Sequence, residues 1–158
     1  MKKSLQTGIF FGLTSGTITT LGLMVGLHSG THSKMVVLGG ILTIAIADSF
    51  SDALGIHISE ESENEHTTLQ IWVATFTTFF TKMLFALTFI LPVLLFDLSI
   101  AIVISLGWGF MTVTLLSYII AKSQNNNPLK VIFEHLLIVA VVVSLTHYAG
   151  DLISRWIK

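Results

Sequence analysis

The sequence contains no cysteine, and few of its residues are charged. Without cysteine the chain cannot form disulfides, iron–sulfur clusters or thiolate zinc sites. Charged residues make up 11% of the chain, against about a quarter in ordinary soluble domains. The net charge of −1 gives no broad basic surface, so we do not expect nucleic acid as a partner.

The chain is unusually rich in apolar side chains. Hydrophobic residues make up 53% of the 158 residues and the mean hydropathy is +0.83, more than a soluble domain of this size could bury. These residues form five continuous runs, each close to the roughly 20 residues that a helix needs to cross a bilayer. We therefore predict an all-α integral membrane protein, a single transmembrane domain over residues 1–158 in a lipid membrane. The predicted helices cover residues 7–28, 35–58, 71–96, 99–121 and 129–153.

The basic residues favour a cytoplasmic N-terminus. With five spans the two ends of the chain lie on opposite sides of the membrane, and the side richer in Lys and Arg is expected to be cytoplasmic. The N-terminal side has four basic residues and the other side has three: Lys2, Lys3, Lys122 and Lys130 against Lys34, Arg155 and Lys158.

The second predicted helix carries two acidic residues inside an apolar run. Asp48 and Asp52 are four residues apart, so they lie only about 40° apart around the helix. A charge at the bilayer centre costs at least a few kcal/mol, so this face should meet protein or water rather than lipid. Carboxylates and hydroxyls are hard oxygen ligands that suit divalent metals and protons. We predict a metal site formed by Asp48 and Asp52 with Ser15, Ser59 and Glu63, along a path that also includes Ser51.

Lys82 lies near the middle of the third predicted helix. A short acidic linker, residues 60–66, joins the second and third helices, so they run antiparallel and Lys82 should reach about the depth of Asp48. Lys82 is either a counter-ion that is displaced when a metal arrives or a lysine that snorkels along a groove. For the acids, the alternative to a cation path is a permanent structural pairing with Lys82.

The first predicted helix carries a glycine every fourth residue, at Gly8, Gly12 and Gly16. This spacing allows another helix to approach closely. The contact is either simple packing within the chain or packing between two copies.

The order of these motifs resembles the vacuolar iron transporter family of proton-coupled divalent-metal exporters. The similarity covers most of the chain. It lies in residues 12–16 and 21–27 of the first helix, 47–55 and 62–63 of the second, 91–92 of the third, and 121–129 and 146–150 of the last loop and helix.

The resemblance implies a five-helix homodimer with a cytoplasmic N-terminus, in which the metal path lies between the two first helices and is lined by the second. On this basis we expect Gly8, Gly12 and Gly16 to pack the dimer.

This sequence departs from the family's pattern at three positions and in one loop. The family's first-helix acid matches Ser15 here, its second-helix methionine matches Asp52, and a small residue matches Asp48. The family's charged metal-binding domain is reduced to residues 60–66. Losing the methionine removes a soft ligand, whereas the two carboxylates keep a hard-cation site.

Together these observations predict a secondary transporter that moves Fe²⁺ or Mn²⁺ out of the cytoplasm in exchange for protons. The alternative is a membrane scaffold or assembly subunit with a structural Asp–Lys pair. We do not expect an enzyme, because the clustered groups are carboxylates without a nucleophile. No cofactor is expected besides the transported ion. The expected location is the cell membrane of a prokaryote or a vacuolar-type membrane of a eukaryote.

Overall fold

The computed structural model describes residues 1–156, and these residues form helices and short connections only. Residues 157 and 158, which end the predicted domain and include Lys158 of the charge count, lie outside the described residues. Five helices are long and apolar enough to cross a membrane, counting α3 and α4 as one span. The predicted all-α membrane fold is therefore confirmed. The helices are α1 (Lys2–Thr31), α2 (Lys34–Ser62), α3 (Thr68–Thr88), α4 (Ile90–Leu95), α5 (Leu98–Ser123) and α6 (Pro128–Trp156).

The helices extend a few residues beyond the apolar runs, because polar capping residues set their ends. Ser33 begins α2 by accepting a hydrogen bond from the Val36 backbone N–H, and Thr67 forms a capping box with Gln70 at the start of α3. At the end of α1, His32 adopts a left-handed conformation with φ 53°. A hydropathy pattern follows only the membrane-embedded part of a helix, so it does not detect such polar caps.

The third span is broken into two helices near its end. Pro92 has no backbone N–H to give to the Thr88 carbonyl, and its ring crowds that carbonyl. Helix α3 accordingly ends at Thr88, the fully buried Phe89 forms the break, and α4 resumes at Ile90. The span predicted over residues 71–96 is therefore one crossing made of two pieces.

Helix α1 is the central helix of the bundle, and its N-terminal half packs against α3. A Cβ atom added at Gly8 would lie 2.6 Å from the Thr77 Cβ atom, and one at Gly12 would lie 3.0 Å from the Thr78 carbonyl oxygen. Gly16 packs against Lys82 in the same way. These contacts lie within one chain, so the dimer contact predicted at Gly8, Gly12 and Gly16 requires a face that α3 already covers. The three glycines instead provide packing inside the chain.

The C-terminal half of α1 packs against α6 through a second glycine stripe, Gly22, Gly26 and Gly30. The backbones approach most closely at Gly150 of α6, where an added Cβ atom would lie 2.9 Å from the Gly30 nitrogen and closer still to the Gly26 carbonyl oxygen. The two stripes therefore hold α3 and α6 to opposite halves of α1.

We predict that Gly150→Ala lowers the thermal stability of the purified protein in detergent. The new methyl group meets backbone atoms that cannot move aside, and overpacking of this kind costs about 1–3 kcal/mol. Gly107→Ala is the matched control, since a Cβ atom at Gly107 meets nothing within 4 Å in the described chain. Equal melting temperatures for the two variants would contradict the close α1–α6 contact.

Candidate functional site

The candidate site lies where α1, α2 and α3 meet. Asp48 and Asp52 are on α2, Lys82 is on α3 and Ser15 is on α1. Asp48 lies about as many residues before the end of α2 as Lys82 lies after the start of α3, so the antiparallel pair brings them to the same depth. Each of the three helices thus supplies part of the cluster.

The Lys82 ammonium group is bound by three oxygen atoms. Its Nζ atom lies 2.5 Å from Asp48 Oδ2, forms an ion pair with Asp52 Oδ2, and donates to Ser15 Oγ at 2.9 Å. Ser15 Oγ in turn donates to Asp52 Oδ2 at 2.6 Å. A lysine has three N–H donors; in the described chain Ser15 and Asp52 accept hydrogen bonds from Lys82, whereas Asp48 is held by ion pairing and its Oδ2 atom makes no hydrogen bond. The predicted approach of Lys82 to the two aspartates is confirmed.

The ammonium group is enclosed, whereas the carboxylates are partly open. The side chain of Lys82 is 1% exposed, against 27% for Asp48 and 20% for Asp52. Two carboxylates and one ammonium leave the cluster with a net charge of −1 when all three are ionised. A negative cluster at membrane depth requires further positive charge, water or protein around its open side.

Gly16 provides the space that the lysine side chain occupies. A Cβ atom at this position would lie 3.3 Å from Lys82 Cγ and 3.3 Å from the Lys82 carbonyl oxygen. The sequence pattern identified Gly16 as a packing residue and missed this role. Nothing in the spacing of the glycines could indicate which side chain would lie against them.

An open groove between α1 and α2 leads away from Asp48. Its volume is about 730 Å³, and it extends from Asp48 and Ser51 to Leu27 and Val36. Leu27 and Val36 lie near the end of the bundle where α1 ends and α2 begins, which we call the distal end. The groove therefore connects one carboxylate of the cluster with this end of the bundle.

Two of the predicted ligands, Ser59 and Glu63, are not part of the cluster. Glu63 is about three helical turns, or about 16 Å, beyond Asp52, a distance that no single ion bridges. Its Oε2 atom lies 3.3 Å from His66 Nε2, which also lies 3.4 Å from Glu60 Oε2. Ser59 is exposed on α2 between the two groups.

Across residues 1–156, no group of three or more His, Asp and Glu side chains is arranged to hold a metal ion. A cation at Asp48 and Asp52 would rely on the two carboxylates, on hydroxyls such as Ser15 and on water. These are the donors that hard cations prefer. The arrangement could bind such an ion only after Lys82 moves from between the carboxylates.

We predict that Lys82→Met destabilises the protein strongly. Removing one partner of a buried ion pair costs about 3–5 kcal/mol, and the partial exposure of the two carboxylates reduces this penalty without removing it. Lys130→Met is the control, because Lys130 is 75% exposed and 3.9 Å from Glu134, and such surface pairs contribute about 0–1 kcal/mol. If thermal unfolding in detergent shows the same melting temperature for both variants, the cluster does not stabilise the fold.

Comparison with protein-family models and with curated proteins gives no match to this chain. The resemblance to the vacuolar iron transporter family therefore depends on the motifs alone.

Proposed function

We propose that this chain is a proton-coupled secondary transporter that moves a divalent metal ion, Fe²⁺ or Mn²⁺, out of the cytoplasm. The observation that carries the proposal is the Asp48–Lys82–Asp52 cluster, in which the Asp48 carboxylate lines a groove within a membrane-spanning bundle. Ionisable residues at such depth are costly and usually mark an ion path. The N-terminus is cytoplasmic in this proposal, and the membrane is the cell membrane of a prokaryote or a vacuolar-type membrane of a eukaryote.

The coupling follows from charge balance at the cluster. Lys82 holds the position between the two carboxylates that a divalent cation would take. A cation that binds both carboxylates neutralises them, so the ammonium group must move away or lose a proton. Release of the cation allows Lys82 or protons to return. Binding of the metal ion therefore displaces the ammonium group or a proton from the cluster, and release of the metal ion reverses this exchange.

The ends of the bundle suggest a direction for the path. The last turn of α2 and the segment that follows it carry four glutamates, which would attract cations at the cytoplasmic side; they are Glu60, Glu61, Glu63 and Glu65. On the other side of the cluster, the groove runs from Asp48 toward the distal end. In this proposal Glu63 and Ser59 contribute to the approach of the ion rather than to its central site.

A homodimer in this proposal uses α2 rather than the first glycine stripe of α1. Small residues recur every four positions on the exposed face of α2, and a Cβ atom at Gly39 or Gly55 meets nothing within 4 Å in the described chain. Small residues favour close contact between membrane helices. A second copy on this face would also shield the open side of the carboxylates from lipid. The residues of this stripe are Gly39, Thr43, Ala47, Ser51, Gly55 and Ser59.

We predict that Gly55→Leu converts the dimer to a monomer while the chain still folds. The leucine would hold two α2 helices apart, whereas its Cβ atom meets nothing within 4 Å in the described chain. Gly107→Leu, on the open face of α5, is the matched control and should leave the dimer intact. The mass of each variant in nanodiscs measures the effect. An unchanged mass for Gly55→Leu would exclude a dimer through α2.

The second candidate function is a membrane scaffold with a permanent ion pair. It is favoured by the enclosure of Lys82, which pairs with both carboxylates, donates to Ser15, and has a side chain that is 1% exposed. In that case the cluster holds α1, α2 and α3 together and no ion passes. The two functions differ in whether the carboxylates ever exchange Lys82 for another cation.

We predict that Asp48→Asn and Asp52→Asn each reduce Mn²⁺ flux into proteoliposomes by about tenfold or more, the scale expected when a metal site loses a binding group. Both variants should also lose the proton counter-flux reported by a pH-sensitive dye. Asp97→Asn is the control, because Asp97 lies at the exposed start of α5 and its side chain makes no capping hydrogen bond. Parent-like flux in both cluster variants, or no flux in the parent protein, would leave the scaffold as the better function.

A further inference from the structure

A second polar cluster lies at the distal end of the bundle, on another side of α1. His28 of α1 and His147 of α6 line the same cavity, which has a volume of about 490 Å³. Ser29 and Ser99 also line it, and most of the remaining wall is apolar. The proposed transport path does not pass through this cavity, so these histidines need their own explanation.

Backbone packing fixes the position of the two histidines. His28 lies between Gly26 and Gly30, the residues of α1 that meet Gly150 of α6. His147 is almost one turn before Gly150 on α6. The closest helix contact in the bundle therefore holds the two imidazoles beside one cavity.

Ser29 fixes the orientation of the His147 ring. Its Oγ atom lies 2.5 Å from His147 Nδ1, which leaves Nε2 as the free ring nitrogen. Histidines that bind metals are commonly oriented by a hydrogen bond to their other nitrogen in this way. Ser29 itself is 4% exposed, so it holds the ring from inside the bundle.

The imidazole of His28 has an unused nitrogen. Its Nδ1 atom is buried and makes no hydrogen bond within residues 1–156. A buried polar atom without a partner is unfavourable, and such atoms in native proteins call for a ligand or a functional explanation. A third imidazole, that of His32, lies next to His28 with a distance of 5.4 Å between ring centroids.

The donors around this cavity select one class of ligand. Imidazole nitrogens suit Zn²⁺, Cu²⁺, Ni²⁺ and iron, whereas Mg²⁺ and Ca²⁺ prefer carboxylates and carbonyls. No carboxylate lines the cavity. We propose that His28 and His147 bind a divalent transition-metal ion such as Zn²⁺ at the distal end, with Ser29 as the residue that positions His147. Water and a neighbouring hydroxyl complete the coordination.

This site is independent of the Asp48–Asp52 cluster, because it shares no residue with it and is built on two imidazoles rather than two carboxylates. The test uses the full chain in nanodiscs and Zn²⁺ as the probe. Calorimetry gives the affinity, and X-ray absorption at the zinc edge detects imidazole ligands. In the parent we expect bound Zn²⁺ with an imidazole signal.

His28→Gln and His147→Gln should each lower the Zn²⁺ affinity by about tenfold or more, and Ser29→Ala should lower it by about 10–100-fold, as for other residues that orient a metal ligand. His135→Gln is the matched control. The Nδ1 atom of His135 also meets a serine hydroxyl on a neighbouring helix, Ser117 Oγ at 2.8 Å, but His135 does not line this cavity. The control should bind Zn²⁺ like the parent.

Two results would overturn the site. The first is a parent spectrum without imidazole ligands, which requires no variant and so does not depend on the folding of one. The second is an affinity that His135→Gln lowers as much as His147→Gln does. Asp48→Asn should keep the imidazole signal, and His147→Gln should keep Mn²⁺ flux, so the failure of this site and the failure of the proposed transport are distinguishable.

Discussion

The arrangement of the bundle depends on how one buried ammonium group is satisfied. A lysine at membrane depth is tolerated only if its charge and its three N–H donors find partners. In this chain Asp48 and Asp52 balance the charge, and Asp52 and Ser15 accept hydrogen bonds; these residues come from two different helices. The depth of α2 relative to α3 is therefore constrained by the ion pairs. The depth of α1 is constrained by the Ser15 hydroxyl and by Gly16, against which the lysine side chain lies.

The second constraint is the close packing that membrane helices need. In lipid there is no hydrophobic force that drives helices together, so packing of small residues and interhelical hydrogen bonds must hold them. Helix α1 follows this principle twice, with Gly8, Gly12 and Gly16 against α3 and with Gly22, Gly26 and Gly30 against α6. Because these two stripes use different halves of the helix, α1 can be central without a large apolar side chain at either contact. The cluster lies at the end of the first stripe and the histidine cavity lies beside the second.

The sequence predicted the features that depend on distance along the chain. The five spans follow from the thickness of the bilayer, and the meeting of Lys82 with Asp48 follows from counting residues on either side of a short turn. Distance along the chain also explains why the inclusion of Glu63 in the same site was wrong: about three helical turns separate it from Asp52. The partner of each glycine stripe could not be predicted, because small residues show that a contact is close but not which helix makes it. The pairing of His147 with Ser29 also requires knowledge of which helices are neighbours.

The proposed transporter and the alternative scaffold use the same contacts, so the difference between them lies in whether Lys82 can leave. The cluster carries one negative charge with Lys82 in place and two without it. With Lys82 bound, only a single positive charge balances the site, whereas a divalent ion is balanced only when the ammonium group has moved or become neutral. The open sides of Asp48 and Asp52 give an arriving cation access to the carboxylates before Lys82 leaves. Lys82 itself is enclosed, and its aliphatic stem lies against Gly16. In the proposed transporter a cation would reach Asp48 from the groove, and this access is what an exchange mechanism needs and a permanent ion pair does not.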